Sequence, residues 1–299
     1  MAGTAADSDI LTRVAAADSL PTPPVVLTEI NKVVNDPDSS ARDVAAVVAE
    51  DPAMTARVLR MVNSAFYGLP ETVTSVRQAI FILGISAVQS LLQCAGVVEM
   101  FSGADAHRDF QEKFWRHSMA AASAARVLCT GTRGDSRSAA GIITCPEEAF
   151  TAGLLHDIGK MVLFCYLPGE QAQVAGHPMF GKTPDSTVER EVLGIDHARI
   201  GAELARRWQL PPALVGAVAH HHDLDVEDPG TVLLSRIAHA ADYLAHVVGI
   251  EPQAETVLPP IAWRQMAVFG FEESNLPEFA DLVRKEYGRA QIFMTMIRG

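Results

Sequence analysis

The strongest chemical signal in the sequence is LLHDIGK, which runs from Leu154 to Lys160. His156 and Asp157 are adjacent, so they offer an imidazole nitrogen beside a carboxylate whose two oxygens can bridge two metal ions. Lys160 follows as a point charge suited to a phosphate group. Gly159 is expected to take the left-handed conformation at a helix C-terminus. Taken alone the signal is moderate, because a His–Asp pair occurs by chance in many sequences.

Further polar residues lie on the apolar faces of separate predicted helices, where a side chain points inward. They are His117, His197, His221, His222 and Asp242. Each one singly is more simply explained as a hydrogen-bonded core residue. Burying several imidazoles and two carboxylates without a shared partner is costly, however, and metal ions would satisfy them together. We therefore expect these side chains to converge with His156 and Asp157 on one pocket.

Helical periodicity runs through almost the whole chain, and no alternating run of β-branched residues is long enough for a strand. Ser39 or Ser40 is expected to cap one of the early helices. Later helices are predicted at about 188–193, 196–208, 212–222 and 231–248, with loops at 130–146 and 167–187.

The pattern predicts an all-α fold of two packed helical lobes that meet near residues 105–115. We divide the chain into an N-terminal extension, an N-terminal lobe, a second helical lobe and a set of closing helices. The respective ranges are 1–19, 20–108, 109–250 and 251–299.

Composition narrows the possible functions. The chain has 299 residues and a formal net charge of −12, and an acidic chain repels a phosphate backbone, so we expect no nucleic-acid partner. The N-terminus has neither the basic nor the apolar region of a signal peptide. The apolar stretch from Ala79 to Phe101 is interrupted by polar residues, which favours a buried helix or helix pair over a membrane span.

The four cysteines are Cys94, Cys129, Cys145 and Cys165. They lack the two-residue spacing of zinc or redox motifs, so we expect reduced thiols in a cytoplasmic protein.

The stretch from Gly176 to Thr183 reads GHPMFGKT and matches the P-loop pattern in full. A working P-loop needs a preceding strand and a helix that opens at its Lys–Thr pair. The flanks here are predicted as loop, and Pro184 follows Thr183 at once. We therefore expect no nucleotide at this loop.

Several longer segments resemble known families. FWRHS, GLLHDIGK, GIDHARIGAELARRWQLPPALVGAVAHHHD and AHAAD resemble the HD phosphohydrolase superfamily. LPTPPVVLTEI, DPAMTARVLRMVNSAFYG and SVRQAIFILG resemble the front half of an HDOD domain, an HD-related output domain of bacterial signalling systems. The resemblance covers about residues 20–250, with its two halves in the expected order. It implies that the second lobe is an HD-type helical bundle.

The resemblance also implies a ligand set. By analogy with the superfamily and its HD-GYP members, one ion would be held by His117, His156, Asp157 and Asp242. Asp157 would bridge to a second ion, held by His197, His221 and His222. One or two divalent ions of iron, manganese, nickel or zinc suit such nitrogen and oxygen ligands better than calcium does. Asp223 stands where HD-GYP proteins have Glu, and no GYP tripeptide follows, which argues against cyclic dinucleotide hydrolysis.

Two functions remain open. HDOD domains are usually regarded as non-catalytic, and the missing GYP segment favours a regulatory module that contacts signalling proteins in trans. The intact HDIGK segment and seven candidate ligands favour a metal-dependent phosphohydrolase, with Asp157 and Lys160 as catalytic residues. We favour the first for the biological role, and the sequence names no substrate.

Overall fold

The fold is known from a computed structural model that describes residues 10–14, 20–101, 108–130, 146–224, 228–250 and 257–298. All the regular secondary structure within these ranges is helical, so the all-α prediction is confirmed. Residues 1–9, 15–19 and 131–145, which include Cys145, lie outside the described ranges, as do 251–256 in the closing segment. The predicted loop at 130–146 therefore falls almost wholly outside them.

The N-terminal lobe is built from short helices. They are α1 (Val25–Asn35), α2 (Ala41–Ala49), α3 (Pro52–Val62), α4 (Val76–Leu83) and α5 (Ile85–Met100). Ser40 caps α2, because its hydroxyl accepts a hydrogen bond from the Arg42 N–H while the Asp43 carboxylate accepts one from the Ser40 N–H at 2.8 Å. Such reciprocal bonds satisfy donors that the first turn of a helix leaves free.

The second lobe and the closing segment contain the longer helices. They are α6 (Arg108–Thr130), α7 (Pro146–Leu155), α8 (Ile158–Tyr166), α9 (Pro168–Ala175), α10 (Asp185–Leu193), α11 (His197–Arg207), α12 (Pro212–His220), α13 (Pro229–Val248), α14 (Trp263–Met266) and α15 (Leu276–Arg298). Helix α6 packs against α7, α13 and α15, which makes it the central element of this half.

The prediction of a loop over 167–187 is wrong at both ends. Helix α9 occupies the first part of this range, and α10 already begins at Asp185. Pro168 and Gly169 suggested a loop, but proline fits the first turn of a helix, where no backbone N–H is needed. Val174 then anchors α9 in the core, where it is 1% exposed.

The two lobes share apolar core. Leu92 of α5 and Leu154 of α7 belong to one continuous cluster of buried side chains, and the Thr151 hydroxyl donates to the Ser90 carbonyl across the junction. A second cluster joins α6, α13 and α15. Because core continues across the junction, the residue ranges assigned to the lobes stay a prediction.

Three cysteines lie in the described part of the chain, and none forms a disulfide there. Burial raises the pKa of the Cys94 thiol to about 12, so it stays protonated and unreactive at neutral pH.

In the part of the chain that the structure covers, no single helix has the length and apolar character needed to cross a bilayer; two neighbouring helix pairs reach that composition only together, and they bend by 120° and 105°.

Gly159 brings two ligand-bearing helices into backbone contact. It lies inside α8 and not at a left-handed helix end, so that prediction is wrong. A Cβ atom at this position would lie 1.9 Å from the carbonyl oxygen of His197. Gly201 faces it from α11, where an added Cβ would lie 2.9 Å from the Gly159 nitrogen. The glycine is required by the close crossing of α8 and α11, which places Asp157 beside His197.

Gly159→Ala should therefore lower the free energy of unfolding by at least about 2 kcal/mol, since neither backbone can yield to the added methyl group. Gly169→Ala in α9 is the matched control, because a Cβ there meets nothing within 4 Å and alanine favours a helix. Urea unfolding of both variants checks this. Equal stability of the two would contradict the proposed packing role.

Candidate metal centre

The structure brings all seven candidate ligands to one place. His117 lies on α6, and Asp242 lies on α13. His156 and Asp157 occupy the turn between α7 and α8, and His197 is the first residue of α11. His221 and His222 directly follow α12. Five separate segments thus deliver side chains to a single cluster.

The first group of ligand atoms surrounds one oxygen of Asp157. His117 Nε2 lies 3.6 Å from Asp157 Oδ2 and 3.2 Å from Asp242 Oδ1. His156 Nε2 lies 3.4 Å and 3.6 Å from the same two oxygens. The two imidazole nitrogens are themselves 3.4 Å apart. Ligand atoms of His117, His156 and Asp157 all lie within 4.8 Å of one another, and those of His117, Asp242 and His246 form a neighbouring group of the same kind.

The second group surrounds the other oxygen of Asp157. His197 Nε2 lies 3.0 Å from Asp157 Oδ1, and His221 Nε2 lies 3.5 Å from it. His222 Nε2 lies 2.9 Å from His197 Nε2. Asp157 therefore directs one carboxylate oxygen into each group, which is the geometry of a bridging ligand.

Backbone carbonyls fix the tautomers of two of these histidines. His156 Nδ1 lies 2.8 Å from the Gly153 carbonyl oxygen, and His221 Nδ1 lies 2.8 Å from that of Val218. A carbonyl oxygen can only accept, so each Nδ1 carries the proton. When neutral, both rings present an Nε2 lone pair to the cluster, as a metal ligand must.

Glu189 orients His197 in the same way, and the sequence analysis missed it. Its Oε2 accepts hydrogen bonds from the backbone N–H of His197 at 2.7 Å and from Nδ1 at 2.6 Å. Glu189 is only 3% exposed. A signal was present in its spacing, because Glu189 lies four residues before the buried Leu193 on the inward face of α10.

His246 is a second residue that the sequence analysis missed. Its Nδ1 lies 3.3 Å from Asp242 Oδ1, and its ring centroid lies 4.7 Å from that of His117. The signal was its position one helical turn after Asp242 on α13.

The ring nitrogens and carboxylate oxygens of the cluster converge on one another in a way that a bound cation would satisfy. His197 and His222 point Nε2 atoms at each other, although Nδ1 of His197 already donates to Glu189. Asp157 Oδ1 and His221 Nε2 are both buried, and Asp157 Oδ1 lies 3.0 Å from His197 Nε2 and 3.5 Å from His221 Nε2. Buried carboxylate oxygens and imidazole nitrogens that converge in this way are what bound metal ions would satisfy.

The pKa values of the clustered groups show that their carboxylates favour positive charge nearby. Burial alone lowers the pKa of His156, but the Asp157 and Asp242 carboxylates together outweigh it and raise that pKa to about 10. The pKa of His197 is also raised to about 10, because Glu189 and Asp157 outweigh its burial. Burial works against the ionised form of Asp242, yet the neighbouring histidines hold its pKa well below the usual range. The ionised carboxylates thus attract cations to the cluster.

Lys160 stands beside the bridging carboxylate. Its Nζ lies 2.9 Å from Asp157 Oδ2 and 3.4 Å from Asp185 Oδ2, and a quarter of its side chain is exposed. Burial works against the charged ammonium, but the carboxylates raise its pKa above the ordinary value. Lys160 is therefore a fixed positive charge at the edge of the centre.

The centre opens into a cleft of about 330 Å³. Its lining includes Phe110 and Lys113 of α6, Gly181, residues 183–186, Val257 and Pro259. Open access distinguishes this cluster from a closed structural metal site.

The P-loop-like stretch borders this cleft without the surroundings of a P-loop. Helix α9, and not a strand, precedes it. The Lys182 ammonium donates to the Pro178 carbonyl at 2.9 Å. The expectation of no nucleotide at this loop stays a prediction.

The described part of the chain is helical, and its histidines and aspartates gather around an adjacent His–Asp pair. The HDOD domain family matches residues 20–224, and the chain therefore belongs to this family.

Comparisons with curated proteins cover only parts of those relatives. An uncharacterized protein of Treponema pallidum (strain Nichols) is 27% identical over 207 residues, which span 69% of this chain and 38% of the relative. A Ribonuclease Y of Thermus thermophilus is 37% identical over 94 residues, which span 31% of this chain and 11% of that enzyme. This chain thus spans well under half the length of either relative.

Solved structures match nearly the whole chain. A candidate phosphohydrolase from Shewanella amazonensis superimposes with a TM-score of 0.68 at 26% identity, covering 98% of both chains. A candidate signal transduction protein from Marinobacter aquaeolei gives a TM-score of 0.72 at 22% identity, covering 98% of this chain and 65% of the other. An HDOD domain protein of unknown function from Geobacter sulfurreducens gives 0.65 at 22% identity, covering 97% and 98%.

Glu189→Gln should weaken metal binding about 10–100-fold, because the neutral amide no longer strengthens the His197 imidazole as a ligand. Glu191→Gln on the same helix is the control, since its side chain is 59% exposed and lies outside the cluster. Competition of each variant with a chelator for Zn²⁺ gives the affinities. Equal affinities would show that Glu189 has only a structural role.

Proposed function

We propose that this HDOD protein is a signal-transduction module whose second lobe binds divalent transition-metal ions. The supporting observation is that Asp157 directs one oxygen to each of two groups of imidazole nitrogens. One ion would be held by His117, His156, Asp157 and Asp242. A second would depend on His197, His221 and His222. Nitrogen and oxygen ligands favour iron, manganese, nickel or zinc.

The proposed partners are signalling proteins in trans, in the cytoplasm. Membership of the HDOD family supports this role. The formal net charge of −12 disfavours an RNA or DNA backbone as partner. The match to Ribonuclease Y covers less than a third of this chain and does not extend that enzyme's activity to it.

Metal content tests the proposal directly. Wild-type protein purified without chelator and without a metal-affinity tag should retain about one to two ions per chain, and Asp157→Asn should retain far less, because the bridge is lost. Asp185→Asn is the control, since Asp185 also contacts Lys160 but lies outside the ligand set. Elemental analysis measures all three. Sub-stoichiometric metal in the wild type, unchanged in Asp157→Asn, would mean that the cluster is a satisfied polar core.

A second candidate function is hydrolysis of a phosphate ester. It is supported by the open cleft above Asp157, by the Lys160 ammonium at its edge, and by the 26% identity with the candidate phosphohydrolase. Bound divalent ions supply Lewis acidity and a water of lowered pKa. Asp157 would orient the centre, and Lys160 would stabilise negative charge that develops on a phosphate oxygen.

Lys160→Met should then lower kcat on bis(p-nitrophenyl) phosphate about 100-fold while the metal content is retained, because a charge that stabilises the transition state is lost. Lys182→Met is the control, since its ammonium is bonded to a carbonyl of its own loop. Steady-state assays with added Mn²⁺ or Zn²⁺ measure both. Absence of turnover in metal-loaded wild type would reject hydrolysis of such esters and leave the metal-binding module standing.

A further inference from the structure

Helix α11 connects the metal centre to the N-terminal lobe. Its first residue is His197, a proposed ligand, and Trp208 directly follows its last turn. Eleven helical residues span about 16 Å, so the two ends of one rigid rod lie in different parts of the molecule.

The far end of α11 is bonded to the N-terminal lobe. Trp208 is 1% exposed, and its indole N–H donates to the Pro21 carbonyl at 2.9 Å. The Asn31 side-chain amide of α1 donates to the Gln209 carbonyl at 3.0 Å. Arg207 adds a bond from its guanidinium to the Val14 carbonyl of the N-terminal extension at 3.3 Å.

Asn31 is the centre of a buried amide network. It is 2% exposed, and its Oδ1 accepts from the side-chain amides of Gln89 at 3.0 Å and Gln93 at 3.1 Å, both on α5. One carboxamide therefore ties α1, α5 and the end of α11 together. Buried networks of this kind are costly when only partly satisfied, so the junction favours one docked position.

The junction also holds a strained backbone. Gln209 has a φ of 55°, a left-handed conformation that favours glycine over residues with a Cβ. Such a conformation persists where its surroundings hold it, and the bond from Asn31 to the Gln209 carbonyl does so here.

The near end of α11 is held just as firmly. Glu189 bonds both the backbone N–H and the ring of His197, and the backbones of Gly159 and Gly201 are in contact. Helix α11 therefore cannot slide along its axis without moving His197 relative to Asp157.

We propose that the N-terminal lobe senses metal occupancy of the group formed by Asp157, His197, His221 and His222, and that α11 transmits the state. An ion there would fix the His197 end and favour the docked position of Trp208 and Gln209. Because coupling between two sites is reciprocal, loosening the junction must weaken metal binding. This inference rests on the proposed metal binding.

Asn31→Leu tests the coupling, because leucine keeps the size of the side chain and removes its donor and acceptor. It should lower the affinity for at least one Zn²⁺ ion about tenfold in competition with a chelator, although Asn31 is no ligand. Asn63→Leu is the matched control, since the Asn63 side chain bonds the backbone of Leu59 and Val73 within the same lobe.

Hydrogen exchange provides the second measurement. Zn²⁺ should slow the exchange of backbone amides in α1 and α5 of the wild type, and Asn31→Leu should lose this protection. Trp208→Phe keeps an aromatic ring but lacks the indole N–H, and it should also lower the affinity for Zn²⁺. This variant replaces Asn31→Leu in the test if Asn31→Leu does not fold.

The outcomes separate the two proposals. If wild type binds Zn²⁺ but the junction variants bind it as tightly as Asn63→Leu does, and exchange is unchanged, the coupling is rejected and metal binding stands. If wild type binds no Zn²⁺, both proposals fall.

Discussion

A carboxylate that is almost completely withdrawn from water needs positive charge close by, and Asp157, which is 2% exposed, sets this requirement for the whole second lobe. The Lys160 ammonium, 2.9 Å from Asp157 Oδ2, supplies part of this positive charge. Three of the remaining neighbours, His156, His197 and His221, each direct Nδ1 to a carbonyl or carboxylate acceptor and Nε2 to the cluster. Metal ions between these groups would satisfy the carboxylate and the imidazole lone pairs together.

The helices are arranged so that this requirement can be met. A turn at His156 and Asp157 separates α7 from α8, and it lets these two adjacent side chains reach the same cluster. Gly159 and Gly201 let α8 and α11 approach closely, so that His197 Nε2 lies 3.0 Å from Asp157 Oδ1. The same crossing holds the near end of α11, whose far end carries the junction with the N-terminal lobe. One helix therefore contacts both the ligand cluster and the junction between the lobes.

Much of the fold, and the convergence of the candidate ligands, could be predicted from the sequence, because each depends on a local pattern. Helical periodicity indicated the all-α fold, and inward-facing polar residues such as His117 and Asp242 stood out against apolar stripes. Glu189 did not stand out in the sequence, because its role depends on a contact with His197 that exists only in the folded chain. Gly159 was misinterpreted for the same reason: the close approach of α11 determines its role, and sequence position does not show it.

The contact between Asn31 and Gln209 joins residues 178 positions apart in the sequence, and no local sequence pattern predicts such a pair. Helix α9 was missed for the opposite reason. Its local composition of proline and glycine is typical of a loop, and the burial of Val174 outweighed it.

Anomalous X-ray diffraction tests the central claim most directly. Crystals of protein purified without chelator or metal-affinity tag would be measured on both sides of the iron, manganese, nickel and zinc absorption edges. We expect a peak on the Oδ2 side of Asp157, among His117, His156 and Asp242, at about 2.0–2.2 Å from the ligand nitrogens and oxygens. A second ion would give a peak on the Oδ1 side. Absence of any peak, with the imidazoles packed as described, would contradict it.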